Sequence, residues 1–208
     1  MPAWAQHHEA PAQPSADEVL RDLREGNARF AAGKPSRPHT GIVRVHEVAG
    51  AQLPRAVVLT CSDSRVPPEM IFDQGIGDLF VVRVAGNVAN NDQIASSEYA
   101  IEHFGSPVLV VLGHSSCGAV SAVVNGDAVP ADIQRMVVHI GEAVGKVRKA
   151  QPALKGAGLI SASVKANVVE TIADLQSGSD IISGKVRDRK LRIAGATYNL
   201  ADGKVIWL

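Results

Sequence analysis

The chain has 208 residues, of which 46% are hydrophobic and 20% charged, enough for one domain with a packed core. Lys plus Arg balance Asp plus Glu at 21 each, which removes any general electrostatic drive toward nucleic acid or an anionic membrane. No apolar run approaches the ~18 residues that cross a bilayer, and two cysteines cannot build a disulfide scaffold.

Residues 1–14, rich in Ala, Pro and Gln and without periodicity, read as a flexible arm, and residues 15–208 as a single catalytic domain. Ala3-Trp4-Ala5 has the small-x-small form of a signal-peptidase site. The expected compartment is the cytoplasm, or the periplasm if residues 1–5 are the remnant of a signal peptide. Ser15 with Glu18 forms a capping-box pattern, and Val19, Leu20, Leu23, Ala28 and Phe30 recur at a helical period up to Gly33. This N-terminal helix, with the arm, suits docking onto a neighbouring copy. Residues 34–41 read as a loop. The apolar runs 55–60, 78–86 and 107–113 read as buried strands, with a helix at 91–104. Residues 131–150 and 160–176 read as helices with a break between them. In the last stretch, "ADG" between apolar alternations marks a hairpin. The spacing allows crossovers, so the predicted fold is α/β: a mostly parallel central sheet flanked by helices, its last strand antiparallel.

Two of the predicted strands run into unusual residues. "RAVVLT" leads into Cys61-Ser62-Asp63-Ser64-Arg65, and "PVLVVLG" into His114-Ser115-Ser116-Cys117. Ligands of parallel sheets bind beyond the carboxyl ends of the strands. If these two strands are adjacent, Cys61, His114 and Cys117 converge. Two sulfurs and one imidazole suit zinc, and three protein ligands leave a fourth position open, as in catalytic sites. Cys117 also begins a helix, whose positive end favours its thiolate. The competing interpretation of each cysteine is a small buried hydrophobe. The other histidines (His7, His8, His39, His46, His103, His139) fall in the arm, loops or helices, where surface or packing roles suffice. Asp63 and Arg65, two apart in an extended segment, can pair beside the metal, or form a plain salt bridge. Held by Arg65, Asp63 stays ionised and can accept a hydrogen bond from a metal-bound water or hydroxide. Freed, it can close the site as a fourth ligand.

The paired motifs "CSDSR" and "HSSC", with "PRAVVLTCSDSRVPPE", "GDLFVVRVAGN", "SSEYAIEHFG" and "VLVVLGHSSCGAV", resemble the β-class carbonic anhydrases over residues 15–208. The resemblance implies a zinc enzyme that interconverts carbon dioxide and bicarbonate through zinc-bound hydroxide, assembled as dimers or higher multiples such as tetramers. It makes Cys61, His114 and Cys117 the zinc ligands and Asp63–Arg65 the catalytic dyad. It also makes Gln52 a substrate-binding amide, and Phe80, Ala85 and Tyr99 the lining of an apolar pocket, some of them reaching across from a partner subunit. Without it, Phe80 and Tyr99 read as core aromatics and Gln52 as a surface loop residue. His103, four residues after Tyr99, is a candidate proton shuttle or a simple surface histidine. Val58 stands where a bicarbonate-regulated subgroup carries Trp, so that regulation is not expected. Three alternatives remain open on sequence: a carbon disulfide or carbonyl sulfide hydrolase on the same frame, a non-catalytic zinc module closed by Asp63, and a Cys61–Cys117 redox pair.

Overall fold

The computed structural model describes residues 13–208. Residues 1–12, with Ala3-Trp4-Ala5, His7 and His8, lie outside the described residues. A five-stranded sheet runs β2-β1-β3-β4-β5, where β1 is Ala56–Thr60, β2 Leu79–Arg83, β3 Val108–His114, β4 Arg192–Tyr198 and β5 Val205–Trp207. The first four are parallel, and β5 pairs antiparallel with β4 across the expected hairpin. The α/β architecture is the predicted one.

β1 and β3 are buried along their whole length because helices cover both faces. Alternate residues feed two cores. Val58, Val110 and Leu112 pack with Leu20 and Leu23 of α1 (Ala16–Ala31) and with Phe72. Val57, Leu59, Leu109 and Val111 face the other way. They pack with Ala100 and Ile101 of α4 (Asn91–Phe104), Val168 and Leu175 of α7 (Gly156–Ser177), and Ile182 of α8 (Asp180–Arg187).

Several elements depart from the sequence-based expectations. β2 is a half-exposed edge strand that ends at Arg83, because the chain turns at once into a 3₁₀ turn, Ala85–Asn87. In α1 the Ser15–Glu18 capping box forms, but Ala28 is exposed. Gly26 and Asn27 take the buried positions instead. A Cβ on Gly26 would lie 1.9 Å from the Phe72 carbonyl oxygen, so only glycine lets α1 approach there. Asn27 is buried because its carboxamide donates to the Ile71 and Gly203 carbonyls and accepts from Val205 N–H. Before β1 lies a short helix, α2 (Ile42–Val48), with no buried residue; it therefore carries no one-sided apolar pattern. α3 (Pro68–Ile71) and α8 are further short helices, and α7 begins at Gly156, inside the predicted break. Between β3 and α7 come α5 (Gly118–Asn125) and α6 (Ala131–Ala150), which pack a third core around the two cysteines. Among the described residues no helix is long and apolar enough to cross a membrane.

Candidate metal centre

β1 and β3 are neighbours, with Thr60 opposite Leu112, so Cys61 and His114 emerge side by side from the carboxyl end of the sheet. The chain then turns through Ser116, at φ 54°, and Cys117 caps the start of α5. One ligand atom from each of Cys61, His114 and Cys117 lies within 4.8 Å of the others, and all three residues are buried. Both cysteines are free thiols, so the disulfide alternative is not the arrangement found.

His114 Nδ1 lies 2.9 Å from the Ser115 carbonyl. That carbonyl can only accept, so Nδ1 carries the proton and Nε2 presents its lone pair. Nε2 is fully buried and has no hydrogen-bond partner. A buried nitrogen lone pair facing two sulfurs is costly unless something occupies the space between them. A soft divalent ion fits that donor set, and the residues therefore fit a metal of the zinc type.

The Cys61 thiol is pulled down, chiefly because it accepts the hydrogen bond from the Cys117 thiol; burial opposes this, and the Gly86 N–H assists. Cys117 is pushed up, first by that hydrogen bond and then by burial. The N–H groups of Ala119 and Val120 at the start of α5 pull its thiol down, as expected of a helix terminus, but are outweighed. Metal binding requires both sulfurs as thiolates.

Asp63 stands at the mouth of the cluster, Oδ2 3.8 Å from His114 Nε2. Arg65 grips it with Nε on Oδ1 at 2.9 Å, Nη2 on Oδ2 at 2.7 Å and its backbone N–H on Oδ1 at 2.9 Å. That hydrogen-bonded fork holds the Asp63 carboxyl well below the usual carboxylate range. The carboxylate is thus paired with Arg65, and the version in which it closes the cluster as a fourth ligand is not the arrangement found. Arg83, not among the residues expected at the site, fixes the loop through two backbone carbonyls. Its Nε donates to the Cys61 carbonyl at 3.1 Å and its Nη2 to the Asp63 carbonyl at 2.7 Å. The only sequence signal for it was a lone arginine at the end of an apolar strand.

The four expected pocket residues divide. Ala85 lies beside the cluster, because its neighbour Gly86 donates its N–H to Cys61 Sγ at 3.3 Å. Phe80 pairs with Val57, four residues before Cys61, or about 13 Å along the strand. Tyr99 packs against Phe80, ring centroids 6.2 Å apart, and against His103 at 4.6 Å. Gln52 is exposed on the segment that leads into β1. These last three gather toward the amino end of the strands and are not brought to the cluster within one chain. Val58 is fully buried in the core beneath α1.

A mostly parallel α/β sheet with a Cys/His/Cys cluster that can hold a metal at its carboxyl edge, and an arginine-held carboxylate at the mouth, is the framework of a metal-dependent lyase or hydrolase. The family model described as carbonic anhydrase matches residues 56–205. The chain is 42% identical to a carbonic anhydrase of Mycolicibacterium smegmatis, over 92% of this chain and 94% of that one. It is 40% identical to carbonic anhydrase 2 of Mycobacterium tuberculosis, over 88% of each. The solved β-carbonic anhydrase CcaA superposes with a TM-score of 0.73 at 28% identity, covering 91% of this chain and 94% of that one. Tetrameric β-carbonic anhydrases of Sordaria macrospora share the fold, with a TM-score of 0.73 at 22% identity over 92% of this chain and 97% of that one. The chain belongs to the carbonic anhydrase family, in its β class, whose reaction is the reversible hydration of carbon dioxide.

Proposed function

We propose that this chain binds zinc through Cys61, His114 and Cys117 and interconverts carbon dioxide and bicarbonate, with Asp63 and Arg65 as its catalytic pair. The observation that carries the metal assignment is the buried, unpartnered His114 Nε2 facing the two sulfurs. When bound, zinc acts as a Lewis acid that makes water a competent nucleophile near neutral pH.

The protein's own residues do the rest. The Nδ1–H bond to the Ser115 carbonyl keeps His114 in the tautomer that can ligate. Asp63, ionised because Arg65 donates to both of its oxygens, would accept a hydrogen bond from the attacking water and so turn its lone pair toward the substrate carbon. Arg65 also keeps the carboxylate from swinging onto the metal. Arg83 holds the backbone that carries both Cys61 and Asp63.

Substrate binding is completed by a second copy of the chain. Gln52, Phe80 and Tyr99 sit too far along the strands to serve their own cluster, and Tyr99 is exposed. Ile42 and Val43 of the exposed helix α2 are also uncovered. A homodimer, alone or paired into a tetramer, buries such surface and brings one chain's Gln52 amide and aromatic rings to the other's metal. The amide then donates to the oxygen that gains charge, and the rings offer an apolar place to carbon dioxide.

The test is metal analysis of the purified protein beside stopped-flow carbon dioxide hydration, with Cys117→Ser as control. One zinc per chain and hydration activity are expected, both lost in the variant. Zinc without activity at any pH would support a non-catalytic module. Activity on carbon disulfide or carbonyl sulfide in place of carbon dioxide would move the assignment to the hydrolases.

A further inference from the structure

One face of α7 carries buried polar side chains that the metal centre does not use. Ser163, Asn167 and Thr171 recur every four residues, so they share a face, and all three are buried. Asn167 Nδ2 donates to the Gly86 carbonyl at 2.8 Å, and Thr171 Oγ1 donates to the Asn87 carbonyl at 3.1 Å. The Ser163 hydroxyl makes no hydrogen bond, so two side chains hold the turn.

That turn needs holding. Gly86 and Asn87 have φ of 76° and 46°, two left-handed residues in succession, the second with a side chain. Both residues are buried, so their carbonyls depend on Asn167 and Thr171 for partners. On the opposite side, a Cβ at Gly86 would stand 2.7 Å from Ile140 Cδ1 and 3.1 Å from Ala119 Cβ, so α6 and α5 close the space. Gripped between these helices, Gly86 points its N–H at Cys61 Sγ, 3.3 Å away. An N–H aimed at a thiolate draws charge from the sulfur and leaves it a weaker donor to a metal.

We infer that Asn167, seconded by Thr171, is a positioning residue for the metal centre: through the Gly86–Asn87 turn it keeps the Gly86 N–H on Cys61 Sγ and so sets how strongly that sulfur donates to the metal. The inference rests on the metal site proposed above. Neither side chain is placed against metal or substrate; both act through one turn of backbone.

Cobalt(II) in place of zinc reports the sulfur directly, through its thiolate-to-cobalt charge-transfer absorption. Asn167→Ala is expected to move that band to longer wavelength, because a sulfur relieved of the Gly86 N–H donates more strongly to the metal. Thr171→Val should move it the same way by less, and Thr171→Ser, which keeps the hydroxyl, should return it to its original place. Ile172→Ala, on the same helix but packed toward Gly195 of β4, should lower the melting temperature without moving the band. If Asn167→Ala does not fold, Thr171→Val decides, since it removes one hydroxyl at nearly constant volume. An unmoved band in the folded variants overturns the inference while leaving the metal site intact. A cobalt protein of unaltered sequence with no such band overturns the metal assignment, and the inference with it.

Discussion

Asp63 and Asp73 are both aspartates gripped by an arginine, yet they sit in different company. Asp73 is buried between α1 and the loop after it. It accepts from Arg29 Nε at 2.6 Å, from Ser36 N–H and Oγ at 2.9 and 2.7 Å, and from Arg37 N–H at 2.8 Å. Burial pushes its carboxyl up, but these donors together outweigh it and hold it below the ordinary range. Asp63 is also held low, but chiefly by Arg65, and its Oδ2 faces the unpartnered His114 Nε2 across 3.8 Å. One aspartate has its hydrogen-bonding spent on the scaffold. The other keeps acceptor capacity beside a site that can take a metal. An Asp–Arg pair therefore says little by itself; what distinguishes a reactive one is the unfilled valence next to it.

Substitution of each aspartate should separate the two roles. Asp63→Asn is expected to lower kcat/KM by about 10²- to 10⁴-fold, the range for a side chain positioned on the proton of the reacting water, with metal content and stability nearly unchanged. A small loss would mean that the carboxylate is only a structural partner of Arg65. Asp73→Asn should cost about 3 kcal/mol of stability, since it leaves Arg29 and the turn donors without their acceptor, while activity per folded molecule stays constant. Denaturant unfolding measures this. Because the folded Asp73 carboxyl titrates below its unfolded value near 3.9, its stabilisation is complete well above that pH and drains away as the pH falls through it. The gap between the two proteins should therefore narrow below about pH 4, and a constant gap would show that charge is not the cause.

The remaining two outcomes are smaller. Tyr99→Asp places a charge on the proposed intersubunit face and should shift sedimentation toward a single chain, with activity falling roughly tenfold, equivalent to about 1.4 kcal/mol. Retention of full activity by a monomer would break the two-copy site. Two thiolates neutralise a zinc ion that three imidazoles would leave dipositive, so its water should be less acidic than the ~7 of a three-histidine site. Activity should thus rise from neutral toward alkaline pH. Asp63 stays ionised throughout and adds no inflection there. A rate that stays flat down to about pH 6, below the reference imidazole value, removes the charge argument.

The parts of the fold that were legible in the sequence are those where burial imposes a pattern. β1 and β3 are apolar from end to end because both faces are covered, and α4 lies at the predicted 91–104. The Cys61–His114–Cys117 cluster was legible because a cysteine and a histidine stand directly after those runs. α2 was not, since a helix with no buried residue has no apolar stripe to read. The start of α7 was hidden by glycines at 156 and 158, which signal a break when taken alone.

By itself, then, the order of residues determined which strands exist, that they run mostly parallel, and which three side chains could meet a metal, because each depends on local pattern or on atom type. Tertiary structure alone decided that Arg65 grips both oxygens of Asp63 and that Arg83 holds its backbone. It also decided that Asn167, 81 residues along the chain from Gly86, reaches that residue's carbonyl. Those contacts depend on distances between elements far apart in the chain, and periodicity carries no record of them.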